Sequence, residues 1–290
     1  MTKVTAELLT IGDEILYGQI VDTNAQWMGV HLSNAGIKII RKTSVGDQEH
    51  EILTALAEAE KRADIILITG GLGPTSDDLT KPCLVKYFNC ELKIHEEALA
   101  EVTAFFKSRG RELTEVNRQQ AALPVCCEKV TNKIGTAPGM WFSRNRKVFV
   151  SMPGVPHEMK LMMTELIIPK LKATFKTPVI YHHIIRTVGI GESFLADKIA
   201  SWESSLPEHI KLAYLPSLGE VKLRLTGMGQ SKEELAAEVN NLIAQLKPLV
   251  GEHIYGYNDE PLEVIIGNTL REKKLTLSVA ESCTGGYLSH

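Results

Sequence analysis

No pair of cysteines in this sequence has C-x-x-C spacing. The five are Cys83, Cys90, Cys126, Cys127 and Cys283, an odd and scattered set. That pattern argues against a zinc knuckle and a disulfide framework, and makes a reducing cytoplasm the expected compartment. No apolar run approaches the ~20 residues that span a bilayer, and the first residues lack the basic-then-apolar pattern of a signal peptide. Strong charge of either sign is missing as well. With a net charge of −3, no strong field draws the chain to nucleic acid or to an anionic membrane. Aromatic residues make up only 6%, and Trp27, Trp141 and Trp202 are too scattered for a stacking platform. What is present is 290 residues, 44% hydrophobic and 23% charged, enough for about two domains with cores that need no staples.

The first half alternates strand and helix. Val4–Ile11, Ile37–Ile40 and Ile65–Ile68 read as strands. Glu49–Arg62 has helical spacing at Ile52, Leu53, Leu56 and Ala59. Asp22 is an expected N-cap for a helix reaching Asn34, with Gly36 at its left-handed end. The β-α-β-α-β order implies a parallel sheet with right-handed crossovers and helices on both faces. Helical patterns follow at Thr80–Phe88, Glu96–Arg109 and Thr114–Ala122. A strand at Val148–Ser151 and a long helix from Pro156 to Thr174 close this domain, expected over residues 1–175. Residues 176–258 then read β-α-β-β-α-β, a small α+β sandwich. Its strands are Val179–Val188, Lys211–Leu215, Val221–Thr226 and Glu252–Tyr257. Its helices are Glu192–Trp202 and Lys232–Leu246. Residues 259–290 form a linker, a helix at Leu262–Leu270 and a short strand at Thr276–Val279 running into Ala280–Gly286.

The chemistry concentrates after the third strand, where an open parallel sheet binds its ligands. Gly70, Gly71 and Gly73 allow close backbone approach to a phosphate, although they match neither the G-x-G-x-x-G nor the P-loop spacing. Thr75, Ser76, Asp77, Asp78, Thr80 and Lys81 follow, bringing hydroxyls, two carboxylates and an ammonium to one strand end. Carboxylates beside a diphosphate repel it unless a hard divalent cation such as magnesium or manganese lies between. One of Asp77 and Asp78 is expected to cap the next helix and the other to reach the site. Asp13 and Glu14 follow the first strand and Asp47 the second, so acids are expected at three loops of one sheet edge. Asn117 and Arg118 are further candidates for ligand contact. His157, His182 and His183 lack metal-ligand spacing and read as structural. Ser282 and Thr284, in a Ser-x-Thr-Gly-Gly turn, could present a nucleophile.

Four runs then resemble the competence/damage-inducible CinA family: Thr10–Leu16 with Gly18–Asn24, Thr69–Lys81, Gly135–Gly139 and Met152–Met159. The resemblance spans essentially the whole chain. It implies a three-layer α/β first domain similar to the molybdopterin-binding domain of molybdenum-cofactor biosynthesis proteins. It also implies a KH-type middle domain and the start of an amidase domain. The implied activity is metal-dependent hydrolysis of the diphosphate of ADP-ribose to AMP and ribose 5-phosphate, with magnesium, manganese or cobalt as cofactor. A non-hydrolytic molybdopterin- or nucleotide-binding module is the alternative.

By motif position Glu14, Asp47 and Asp78 are the implied metal acids, and Asp77, Asp78 and Lys81 the catalytic group. Gly70, Gly71, Gly73, Thr75, Ser76, Asn24, Gly135, Thr136, Gly139 and Gly154 are the implied substrate contacts. Ser282 and Thr284 resemble the opening of the amidase domain, which deamidates nicotinamide mononucleotide in the family. That domain reads here as cut off near its start, so no amidase activity is expected. The expected partners are a small-molecule nucleotide diphosphate and a second copy in a homodimer, with no membrane and no nucleic acid. For the latter, residues 176–258 hold eight Lys/Arg against nine Asp/Glu, and Gly189-Ile190-Gly191-Glu192 departs from the RNA-clamping G-x-x-G loop.

Overall fold

The structure is a computed structural model describing residues 4–75 and 77–289, so the expected contact Ser76 and the terminal His290 lie outside the described residues. The chain divides into two compact units, Met1–Pro178 and Val179–His290.

The first unit opens with β1 (Thr5–Ile11), α1 (Asp13–Leu16), α2 (Thr23–Asn34), β2 (Lys38–Val45), α3 (Glu49–Arg62) and β3 (Ile65–Thr69). Asp22 caps α2 as expected: one carboxylate oxygen accepts from Ala25 N at 2.8 Å. Gly36 takes a φ of 77° just past that helix. β2 runs beyond its apolar half because its polar residues also pair with β1, as far as Ile11 against Val45. Next come α4 (Thr80–Phe88), β4 (Leu92–Ile94), α5 (Glu96–Lys107), α6 (Glu115–Gln119), β5 (Ala122–Pro124), β6 (Glu128–Val130), β7 (Gly139–Arg144) and β8 (Lys147–Met152). α7 (Pro156–Met162) widens into a π turn before α8 (Ile168–Thr174). Pro169 lacks the amide hydrogen for the next helical bond, which is where such a defect is expected.

Six strands form one sheet in the order β2-β1-β3-β8-β7-β6. β2, β1, β3 and β8 are parallel, whereas β7 and β6 run antiparallel at one edge. The sheet is therefore mostly parallel rather than wholly so. The sequence reading missed β4, β5 and β6, of three residues each, and also β7, and it drew α6 too long. Ala122 belongs to β5, and the helix is opened by Thr114, whose hydroxyl accepts from Asn117 N. Ala25, Met28 and Leu32 of α2 pack with Met159, Met163 and Leu171 on one face of the sheet. Ile52 and Leu56 of α3 pack with Leu84 and Val102 on the other. Cys90 and Cys126 are joined beside the antiparallel β4–β5 pair, which corrects the expectation of separate thiols, while Cys83, Cys127 and Cys283 stay free.

The second unit contains β9 (Val179–Val188), α9 (Glu192–Ser204), β10 (Ile210–Ser217), β11 (Glu220–Gly229), α10 (Lys232–Val250), β12 (Ile254–Tyr257) and α11 (Leu262–Glu272). Its sheet order is β10-β11-β9-β12, antiparallel throughout. Ile199, Trp202, Val239 and Leu246 of the two longer helices fill its core against Ile185, Leu223 and Leu225. α11 rests on β12, where Ile265 lies over Gly256. Thr276–Val279 forms no strand, and Ser282–Ser289 is a set of exposed turns. A single strand there would have no neighbour to take its backbone bonds.

Candidate functional site

The strand order of the first unit sets the place. The chain leaves β1 for β2 on one side, then returns past β1 to β3 on the other. The carboxyl ends of β1 and β3 thus flank a topological switch point, where the following loops diverge and leave a crevice. Gly12 and Gly70 stand at those two ends. A Cβ on Gly70, whose φ is 104°, would lie 2.0 Å from the Ile11 carbonyl oxygen. Only glycine lets the two strand ends approach this closely.

A cavity of about 430 Å³ opens there. Its wall takes Gly12 and Glu14 from the first loop, Asp47 from the second, Gly70–Pro74 with Asp77 and Asp78 from the third, and Gly154 with Glu158 from the turn after β8. Gln120 and Thr136 close the far side. An adjoining pocket of about 100 Å³ shares Ile11, Glu14, Gly70 and Gly154 with it and reaches Asn24. Volume alone does not single out this site. A cavity of 630 Å³ lies under α11 in the second unit, but its charged wall residues Arg186 and Glu220 already pair with each other at 2.8 Å.

The acids that line the first-unit cavity, and Asp13 beside it, have no paired cation among the described residues. Asp13, Glu14, Asp47, Asp77, Asp78 and Glu158 make no ion pair among the described residues. Asp13 and Asp47 clasp each other's loops: Asp13 N donates to Asp47 Oδ2 at 3.0 Å and Asp47 N to Asp13 Oδ1 at 3.4 Å. Burial raises the Asp47 carboxyl, and the charges of Asp13, Glu14 and Asp77 push it up further. Glu158 accepts from Asn132 Nδ2 at 2.7 Å.

Asp78 does not cap α4, and neither does Asp77; the residue before that helix is Leu79, with no side-chain cap. Asp78 instead closes the glycine loop, accepting from Gly73 N at 2.7 Å and from Thr75 N at 2.9 Å and Thr75 Oγ1 at 2.5 Å. Its carboxylate sits where an anion would meet those amides. The amides of Gly71 and Leu72 donate to no acceptor among the described residues. Thr75 is thereby occupied with Asp78 and is outside the cavity wall.

Other expected residues are placed differently. Lys81 is absent from the wall. Its ammonium donates to the carbonyl oxygens of Gln119 at 3.4 Å and Gln120 at 3.2 Å, and burial pushes it down to about 8. Gly135 faces a separate hollow with Arg109 and Lys133. Gly139 lies inside the sheet as the first residue of β7, packed on Met162. Both correct the reading of their shared run as one ligand loop, because the chain turns into β7 within it. Asn117 and Arg118 sit on α6, away from the wall. Glu14, Asp47 and Asp78 share the cavity, yet no three His, Cys, Asp or Glu side chains converge on one point among the described residues. Ser282 has no hydrogen bond from its hydroxyl to a base among the described residues, and Thr284 is exposed.

Two residues escaped the sequence reading. Glu158 sits in the first turn of α7, inside a recognised run but unassigned. Gln120 follows α6 with no local signal of its own, and only the tertiary fold carries it to the cavity.

The comparisons with known proteins agree with this architecture. The family profile described as "Probable molybdopterin binding domain" matches residues 7–173. "Damage-inducible protein CinA KH domain" matches residues 182–256, and "CinA C-terminal domain" matches residues 259–290. A CinA-like protein of Cytophaga hutchinsonii is 49% identical over the whole chain, which spans 69% of that relative's length. A CinA-like protein of Flavobacterium psychrophilum is 46% identical over 98% of the chain and 68% of its own length. Among solved structures, the protein CinA from Thermoplasma acidophilum, described as of unknown function, is 34% identical with a TM-score of 0.53, covering 59% of this chain and 98% of that one. The chain belongs to the CinA-like protein family.

Proposed function

We propose that the first unit hydrolyses the diphosphate of ADP-ribose or a closely related nucleotide, giving AMP and ribose 5-phosphate. The observation that carries the proposal is the set of five carboxylates, Glu14, Asp47, Asp77, Asp78 and Glu158, that line a cavity around the glycine loop at the β1/β3 switch point with no ion pair among the described residues. A module that only bound an anion would line the same crevice with basic groups.

The donor set fits a hard divalent cation. Its groups are carboxylates, and the mutual repulsion at Asp47 is what a cation relieves. Glu14 and Asp47 would hold it. The remaining ligands would be water and substrate phosphates, the usual arrangement for magnesium held by one or two carboxylates. When bound, such an ion neutralises phosphate charge and lowers the pKa of a water. The chain's own part is then positional. The free amides of Gly71 and Leu72 hold phosphate oxygens. Asp78 keeps the loop in shape through Gly73 and Thr75. Asp77, at the exposed rim, accepts the proton of the attacking water. The water oxygen bonds to one phosphorus, and the bridging oxygen leaves with the other phosphate and takes up a proton.

The test is to incubate the protein with ADP-ribose and magnesium, manganese or cobalt and follow AMP. AMP should appear with each ion, at different rates, and cease in excess chelator. Tight binding without AMP would favour the non-hydrolytic reading, and full turnover in chelator would remove the cation from the mechanism.

A further inference from the structure

Gln120 is 5% exposed and lines the cavity, and its buried Oε1 has no hydrogen-bond partner among the described residues. A buried amide oxygen left unpaired costs about 1–3 kcal/mol. Such a group is retained where something else completes it. Its backbone is held from two sides: Gln120 N donates to Asn117 O at 3.2 Å, and Lys81 Nζ donates to Gln120 O at 3.2 Å.

The surroundings say what would complete the amide. Asp77, Asp78 and Glu158, all acceptors, share the wall with Gln120, and neither Thr136 on the same side nor the free loop amides reach its Oε1. A donor for it would come from the ligand. A phosphate has none when ionised, whereas a sugar carries several hydroxyls, each a donor. We propose that Gln120 is a specificity-determining residue that accepts a hydrogen bond from a hydroxyl of the sugar beyond the diphosphate. This inference rests on the reading of the cavity as a nucleotide-diphosphate-sugar site. It adds that the terminal sugar, not the nucleoside, lies on the Gln120 side. A site that bonds a substrate hydroxyl discriminates strongly against the analogue lacking it, since its own polar group is otherwise stranded.

The experiment compares wild type, Gln120→Leu and Gln120→Glu by calorimetric titration with ADP-ribose and with ADP, each with magnesium, alongside melting of the ligand-free proteins. Leucine removes the unpaired oxygen with little change in size. Ligand-free Gln120→Leu should melt at or above the wild-type temperature. Its affinity for ADP-ribose should fall about tenfold, the effect of one lost hydrogen bond, while its affinity for ADP changes less than about twofold. Gln120→Glu keeps an acceptor and should retain the preference for ADP-ribose. Equal loss on ADP and ADP-ribose would place the contact on the adenosine half and overturn the assignment. Unchanged affinity for both, or a destabilised ligand-free Gln120→Leu with normal binding, would make Gln120 a structural residue. If wild type binds no ADP-ribose at all, the functional reading itself fails, a result distinct from either.

Discussion

The two edges of the first unit's parallel sheet treat their acids in different ways. At the amino edge Glu7 and Glu60 are paired with arginines and Asp64 is held by Thr5. Glu7, fully buried, bonds Arg62 at 2.9 Å and accepts from Thr43 at 2.9 Å. Glu60 holds Arg144 at 2.6 Å, and Asp64 accepts from Thr5 N at 2.8 Å. At the carboxyl edge, six acids gather with no ion pair among the described residues. Charge at the first edge is structural and closed. Charge at the second has no cation beside it among the described residues, and the positive-φ glycines Gly70 and Gly71 lie at that edge. Stability and function are thus separated along the strand direction by about the length of a strand.

The largest expected effect is at the carboxyl edge. Asp78→Asn keeps one acceptor oxygen but turns an amide against Thr75, which needs an acceptor. AMP formation from ADP-ribose should fall ~100–1,000-fold, the usual cost of removing one preorganised electrostatic contact, with little change in melting temperature. Activity within about twofold of wild type would show that turnover does not depend on the loop shape that Asp78 holds.

A pair of neutralising substitutions should give opposite signs. Glu7→Gln at the amino edge leaves Arg62 short of its charged partner and should destabilise the unit by about 1.5–3 kcal/mol, the range for hydrogen bonds to charged groups. Asp47→Asn at the carboxyl edge relieves repulsion from Asp13, Glu14 and Asp77 and should leave the metal-free protein equally or slightly more stable. Urea unfolding of both variants checks this. Destabilisation by both would mean that the acids of the two edges do the same job.

The smallest effect is a pH dependence. Lys81 is pushed down to about 8 by burial, from an ordinary 10.5. Between those values the unfolded chain binds more protons than the folded one, so this residue makes stability rise with pH from about 8 to about 10.5. Cys127, raised to about 12 by burial, acts in the opposite sense from its ordinary 9.0 upward. The difference between wild type and Lys81→Met therefore isolates the lysine. That difference should grow across the window in unfolding experiments, and a pH-independent difference would show that Lys81 is not desolvated.

Local signals explain what the sequence reading found. Apolar runs such as Ile65–Thr69, the Asp22 cap and the 3.6-residue spacing of α3 each depend on neighbours along the chain, and each appears where expected. The same holds for the glycine loop with its acids, since a strand end, three glycines and two carboxylates lie within nine residues of each other. The antiparallel edge was missed because β6 and β7 are recognised by each other rather than by their own pattern.

What only the tertiary structure decided is which side chains share the cavity. Gly135 and Thr136 are adjacent in sequence, yet only Thr136 lines it, because the chain is turning into β7. Lys81 and Asp78 are one helical turn apart, yet one holds a carbonyl and the other the glycine loop. Gln120 and Glu158 reach the same wall from the ends of helices separated by the four strands β5 to β8. The physical reason is that backbone propensity and burial pattern are set by residues a few positions away, while the direction a side chain finally faces depends on the order in which the sheet assembles its strands.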